Sequence, residues 1–170
     1  MRRPGALVTV FVAGVLVVAV GGGASAQGFA LGAQGSYLFG GSGMLMYGVT
    51  GELPVSGPLS VRASLLIGSI SDPYTGLSFG TRWVSALGLF HMDGAAARPY
   101  LGAGVGEFSV GFAGVSLGVT ALDFVGGMRL ALNETAAVFA EGHYLQLVGV
   151  QGGYPGSGGF ALSGGLLYSF

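Results

Sequence analysis

From Phe29 onward the chain repeats one motif. Segments of about 10 residues alternate apolar with small or polar side chains, and each ends in a turn signal. Alternation with period two places successive side chains on opposite faces of a strand. The pattern predicts eight strands: Phe29–Phe39, Met44–Leu53, Leu59–Ile70, Leu77–Phe90, Pro99–Phe108, Leu117–Leu132, Ala136–Leu147 and Phe160–Phe170. In the third, Val61, Ala63, Leu65 and Ile67 share a face opposite Ser60, Arg62 and Ser64. The sixth sets Leu122, Phe124, Met128 and Leu130 against Asp123 and Arg129, and the seventh sets Val138, Ala140 and Tyr144 against Glu141 and His143. In the fourth, Leu77, Phe79, Trp83, Leu87 and Leu89 form the apolar set, with Arg82 opposite. The fifth is the least regular, because Glu107 falls on the apolar parity; either it lies past the apolar band or a bulge shifts it. The turn signals are Pro54 to Pro58, Ser71 to Gly76, His91 to Arg98, Asn133 to Thr135 and Val150 to Gly159.

An even number of antiparallel strands joined by short turns can close into a barrel with no free edge. Composition decides which face is outside. Only 8% of the 170 residues are charged while 51% are hydrophobic, against about 25% charged in an ordinary soluble domain. Such a surface cannot be solvated in the usual way, so the apolar parity is expected to face lipid and the polar parity the interior. In lipid every backbone polar group needs an internal partner, which only closure supplies. The 36 glycines work against long helices. There is no Cys, so disulfides and thiolate metal sites are excluded, and no Lys or basic cluster beyond Arg2-Arg3 offers nucleic acid a footprint.

The first 26 residues follow other rules. Arg2 and Arg3, an apolar run from Ala6 to Val20, and Ala24-Ser25-Ala26 form the pattern of a cleaved secretory signal peptide. The division expected is residues 1–26 as signal and 27–170 as the barrel domain. The apolar run is short for a membrane-spanning anchor, which needs about 20 residues.

Three segments resemble the small outer-membrane barrels of the OmpA/OmpX type. Leu166-Leu167-Tyr168-Ser169-Phe170 resembles the C-terminal signal read by the barrel-assembly machinery, with Leu166, Tyr168 and Phe170 as its alternating residues. Pro99 to Gly106 is similar to a glycine-alternating strand of that family, and Phe139 to Tyr144 resembles its penultimate strand, though Gly142 and His143 stand where a Tyr-Arg pair is expected. The resemblance spans residues 28–170. It implies a bacterial outer-membrane location, with membrane lipid and, during biogenesis, the assembly machinery as partners.

Candidate chemistry lies on the polar parity. Arg62, Arg82, Asp123, Arg129, Glu141 and His143 are expected to meet in the lumen, because unpaired buried charge is very costly. Eight strands leave an interior just filled by side chains, so a structural plug is favoured over a gate. Glu141 and His143 with a nearby serine also invite a hydrolase reading, but their inward parity takes them from the lipid face where barrel lipid-modifying enzymes work. Gly102, Gly104 and Gly106 lie within a strand, whereas a phosphate loop needs a following helix. Trp83, Tyr37, Tyr47, Tyr144 and Tyr168 are expected in interfacial girdles. No catalytic, cofactor or metal residue is assigned. The function expected is a non-enzymatic structural or interaction barrel; the alternatives are a small pore or lipid-modifying enzyme and, less favoured, a soluble ligand-binding barrel.

Overall fold

A computed structural model describes residues 28–39, 43–71, 75–94, 97–112, 115–148 and 158–170. The segment read as a signal peptide and residues 150–157 of the last loop lie outside the described residues. Eight strands follow in order: β1 (Ala30–Phe39), β2 (Met44–Ser56), β3 (Leu59–Ser71), β4 (Ser78–His91), β5 (Ala97–Phe112), β6 (Val115–Ala131), β7 (Ala136–Val148) and β8 (Gly158–Ser169). Each pairs antiparallel with its neighbours in sequence, and β1 pairs with β8, so the sheet closes into a barrel. Ladder bonds therefore run round the whole barrel and no strand edge is left open.

Both ends of the described chain lie at one end of the barrel, with the turns at 57–58 and 132–135 and the close of β4 at His91; β1, β3, β5 and β7 end, and β2, β4, β6 and β8 begin, at the opposite, loop end. Local chemistry sets these turns. Asn133 Oδ1 accepts from the backbone N of Thr135 and of Ala136, at 2.9 and 2.7 Å, which forms the expected tight turn. Gly57 has a φ of 52°, a left-handed conformation that suits glycine. Strand β2 does not end at Pro54 as expected. It continues to Ser56 through a register shift between Pro54 and Ser56, where a proline without an N–H is tolerated.

The outward parity is apolar and exposed, including Leu45 (65%), Leu101 (57%), Phe124 (47%) and Leu162 (58%). The inward parity holds Arg62 and Asp123, both at 0%. Expected faces and observed faces differ on β4. Trp83, Leu87 and Leu89 are buried inside, and Arg82 points outward and is exposed. Register explains the reversal. Ser60, Arg62 and Ser64 of β3 face Leu89, Leu87 and Ser85 of β4, and directly paired residues share a face. Inward Arg62 thus forces Leu87 inward and, two residues at a time, Trp83 with it. Strand β5 is longer than expected at both ends, and β6 begins at Val115 rather than Leu117. Glu107 pairs with Val84 and Thr120 in an unbroken register, so no bulge shifts it and its side chain is on the outer face.

The interior has two layers. Toward the loop end, Met44, Met46, Leu66, Trp83, Ala121, Leu145 and Ala161 form a buried apolar cluster. Toward the terminal end the charged residues gather, walled by two buried apolar patches, Leu87, Leu89 and Val125 with Tyr100, and Ala30, Phe139 and Leu167. Inward glycines shape this second layer. A Cβ added at Gly127 would lie 2.7 Å from the Tyr100 ring, and one at Gly165 would lie 2.7 Å from the Phe139 ring. Their bare backbones admit the two rings that flank Arg62. Gly102 and Gly106 likewise admit Leu89 and Trp83, whose atoms lie 2.5 and 2.8 Å from such a Cβ.

Candidate functional site

The polar layer is organised about Arg62. Its Nε and Nη2 donate to Glu52 Oε2 at 3.1 and 2.8 Å, and its Nη1 donates to Glu141 Oε2. The guanidinium carbon lies 4.7 Å from the Phe139 ring centre and 5.1 Å from that of Tyr100, a cation–π arrangement away from water. The Tyr100 hydroxyl donates to Glu141 Oε2 at 2.6 Å. Glu52 also accepts from Arg129 Nη2 at 3.0 Å and from Ser60 Oγ at 3.0 Å. On the far side His143 stands between two carboxylates, with Nδ1 2.9 Å from Asp123 Oδ1 and Nε2 3.1 Å from Glu141 Oε1. Only a ring protonated on both nitrogens donates to both. In that form Arg62, Arg129 and His143 balance Glu52, Asp123 and Glu141. Hydroxyls and an amide extend the web: Thr50 Oγ1 is 2.9 Å from Ser64 Oγ, which donates to Gln34 Oε1 at 3.2 Å.

The structure thus brings together Arg62, Asp123, Arg129, Glu141 and His143, and separates Arg82 from them. Arg82 was expected inside because it opposed a larger apolar set; that set lines the lumen instead, Trp83 in the loop-end cluster and Leu87 and Leu89 beside Tyr100 and Val125. Arg129 meets Glu52 rather than Glu141. Trp83 is not a girdle residue: its ring lies edge-on to His143 with centroids 5.5 Å apart. Glu52 and Tyr100 are central residues that the sequence did not single out. Inward parity was readable for Glu52, opposite the apolar face of β2, whereas Tyr100 looked like one more aromatic. His91, read as part of a connector, ends β4 and faces the lumen mouth.

His91 Nε2 lies 2.8 Å from Ser60 Oγ, with Glu52 beside them, which resembles a nucleophile and base. The geometry does not work as a triad. Glu52 approaches the same ring nitrogen, at 3.1 Å, and itself takes the Ser60 hydroxyl. An orienting carboxylate belongs on the other ring nitrogen, leaving the serine proton to the imidazole. Glu52 here is an anchor for cations, and Ser60 is one of its donors. Among the described residues no group of three His, Cys, Asp or Glu is placed to hold a metal ion. At the terminal end the network opens into a vestibule of about 830 Å³ lined in part by Glu52, Ser60, His91, Arg98 and Arg129.

No family model matches the chain, and no curated protein sequence matches it. Solved structures do match. The N-terminal β-barrel domain of OprF from Pseudomonas aeruginosa superposes with a TM-score of 0.64 at 15% identity, covering 85% of this chain and 98% of that one. The chain shares its fold with outer-membrane barrels. Neisserial surface protein A gives a TM-score of 0.62 at 16% identity, over 84% of this chain and 96% of its own. Ail of Yersinia pestis gives 0.51 at 18% identity, over 84% and 97%. At these identities the likeness is one of fold, and the lumen network is argued from this chain's own residues.

Proposed function

We propose that the protein is a non-enzymatic outer-membrane barrel with a structural or interaction role, its lumen closed by its own side chains. One observation carries this reading: the chain is inside out. Leu45, Tyr47, Leu101, Phe124, Phe160 and Leu162 are exposed on the outer parity, while Arg62 and Asp123 are fully buried on the inner one. A soluble ligand-binding barrel requires the reverse. Two stacked layers, one apolar and one ion-paired, oppose a water-filled channel, and eight strands leave room for little else. The hydrolase reading of Glu141 and His143 loses its support because both ring nitrogens of His143 face carboxylates, Asp123 Oδ1 and Glu141 Oε1, which leaves neither nitrogen for a serine.

Ail has been solved in complex with the heparin analogue sucrose octasulfate. A polysulfated partner needs clustered cations. In this chain Arg82 is the one cation among the described residues of the loop-end half, so an interaction role would rest on other chemistry. The test is refolding of residues 27–170 into lipid vesicles and recording across planar bilayers. Insertion with heat-modifiable gel mobility and no unitary conductance is expected. Steady single-sized conductance would replace the plug with a pore, and a chain soluble without detergent would remove the membrane reading.

A further inference from the structure

The outer face carries one anomaly. Among the described residues two charged side chains have outward parity, Arg82 on β4 and Glu107 on β5; every other strand charge faces inward. They are diagonal neighbours, since Arg82 faces Ser109 and Val84 faces Glu107 across the same ladder. Diagonal partners of this kind are about 7–8 Å apart at the backbone, within reach of long side chains. Yet no ion pair joins them, and Arg82 has no side-chain partner among the described residues. Glu107 Oε2 is buried without a hydrogen-bond partner. Its Oε1 lies across Gly118 of β6, where an added Cβ would be 3.0 Å away. Ser109 and Thr120 border the pair on the same face.

Both residues sit in the loop-end half of their strands, as do the outward aromatics Phe39 and Phe160 on β1 and β8. Aromatic girdles mark the level of lipid headgroups. Two opposite charges there, adjacent but unpaired, match a ligand that carries both complementary charges on one short linker. We propose that Arg82 and Glu107 form a binding site for a lipid headgroup bearing a phosphate and a primary amine, of the phosphoethanolamine kind. The planar Arg82 guanidinium takes two phosphate oxygens. The ammonium pairs with the Glu107 carboxylate, whose buried Oε2 has no donor among the described residues, with Ser109 and Thr120 as neighbouring hydroxyls. A phosphocholine headgroup offers the phosphate but no N–H donor, and a phosphoglycerol headgroup offers the phosphate but no cation.

The site rests on the membrane reading above, and its test separates the two. Residues 27–170 are refolded in a maltoside detergent and titrated with short-chain phosphoethanolamine, phosphocholine and phosphoglycerol lipids. Native mass spectrometry reads the bound lipid, and gel mobility of unboiled samples confirms folding of each variant. The unaltered chain should retain the phosphoethanolamine lipid about tenfold more tightly than either of the others. Arg82→Gln should weaken retention of all three. Glu107→Gln should abolish the phosphoethanolamine preference and leave phosphoglycerol retention unchanged or improved. A folded, unaltered chain with no preference overturns the site whatever the variants do, and so does a preference that survives Glu107→Gln. If the two charges merely pair with each other, both variants lose stability without any change in lipid preference, which also overturns it. A chain that stays soluble without detergent refutes the membrane reading instead.

Discussion

Replacing Glu141 with alanine is the most informative perturbation of the lumen. Glu141 is buried and accepts from Arg62 Nη1, from the Tyr100 hydroxyl at 2.6 Å and from His143 Nε2 at 3.1 Å. Gln34 Nε2 adds a long contact at 3.5 Å. Truncation strands three good donors, two of them cationic, in a space without bulk water. A buried donor left without its acceptor costs about 1–3 kcal/mol. The three do not add in full, because Arg62 retains Glu52 and His143 retains Asp123. A net loss of about 3–5 kcal/mol is therefore expected, the range for breaking a buried ion pair by removing one partner. Glu141→Gln keeps an acceptor oxygen and the shape, and should cost distinctly less. Urea unfolding in lipid vesicles measures both. The chain has a single tryptophan, and Trp83 lies against His143, so its fluorescence reports this layer directly. The double variant with Arg62→Met should lose less than the two single losses added together, since it no longer buries an unpaired guanidinium. A loss below about 1 kcal/mol for Glu141→Ala, with new conductance across bilayers, would refute the plug and show a lumen wet enough to solvate the stranded charges.

The same packing sets the outcome of other substitutions. Phe124→Arg places a charge in the exposed apolar belt and should cost about 2–4 kcal/mol in vesicle unfolding, whereas Leu132→Arg, on the same parity but 57% exposed just past the end of β6, should cost about 0–1 kcal/mol. Equal losses at the two sites would contradict the assigned belt. Gly127→Val puts a side chain where the Tyr100 ring now lies; a loss of about 1–3 kcal/mol is expected, and a neutral result would show that Tyr100 is not held there. Deleting Phe170, which extends the outward stripe of Leu166 and Tyr168, should reduce the amount inserted in cells while refolding in detergent stays near normal. Unimpaired insertion would sever this residue from assembly.

The faces of seven strands could be read from alternation because their small, polar or charged residues fall mostly on one parity, even where large apolar residues such as Met46, Leu66 and Leu145 share it. Those of strand β4 could not. Its inward set holds Trp83, Leu87 and Leu89, and its outward set holds Val84, Ala86 and Phe90. The lumen wall and the outer belt both take apolar residues along this strand, so alternation carries no sign. The single charge, Arg82, then tips a parity argument the wrong way, toward the interior. What settles the face is register: Arg62 faces Leu87. That pairing depends on where the β3–β4 connection lets the chain turn, and period two alone does not contain it.

The site was legible to the same extent and for the same reason. Arg62, Asp123, Arg129, Glu141 and His143 stand on the polar side of clean strands, so their common location followed from parity. Who pairs with whom did not, because partners come from strands far apart in sequence: Arg62 joins Glu141 across 79 residues and Arg129 joins Glu52 across 77. Tyr100 escaped because the alternation of the fifth strand was read from Leu101 onward; it stands on the inward glycine parity, and the absence of a side chain at Gly127 leaves room for its ring. Several glycines, read as mere space along one strand, prove specific on the next: Gly102, Gly106, Gly127 and Gly165 are the counterparts of Leu89, Trp83, Tyr100 and Phe139. The polar network is in that sense written twice, once in its charges and once in the side chains missing opposite the rings that enclose Arg62. A change at Gly127 or Gly165 should therefore disturb the ion pairs without touching a charged residue.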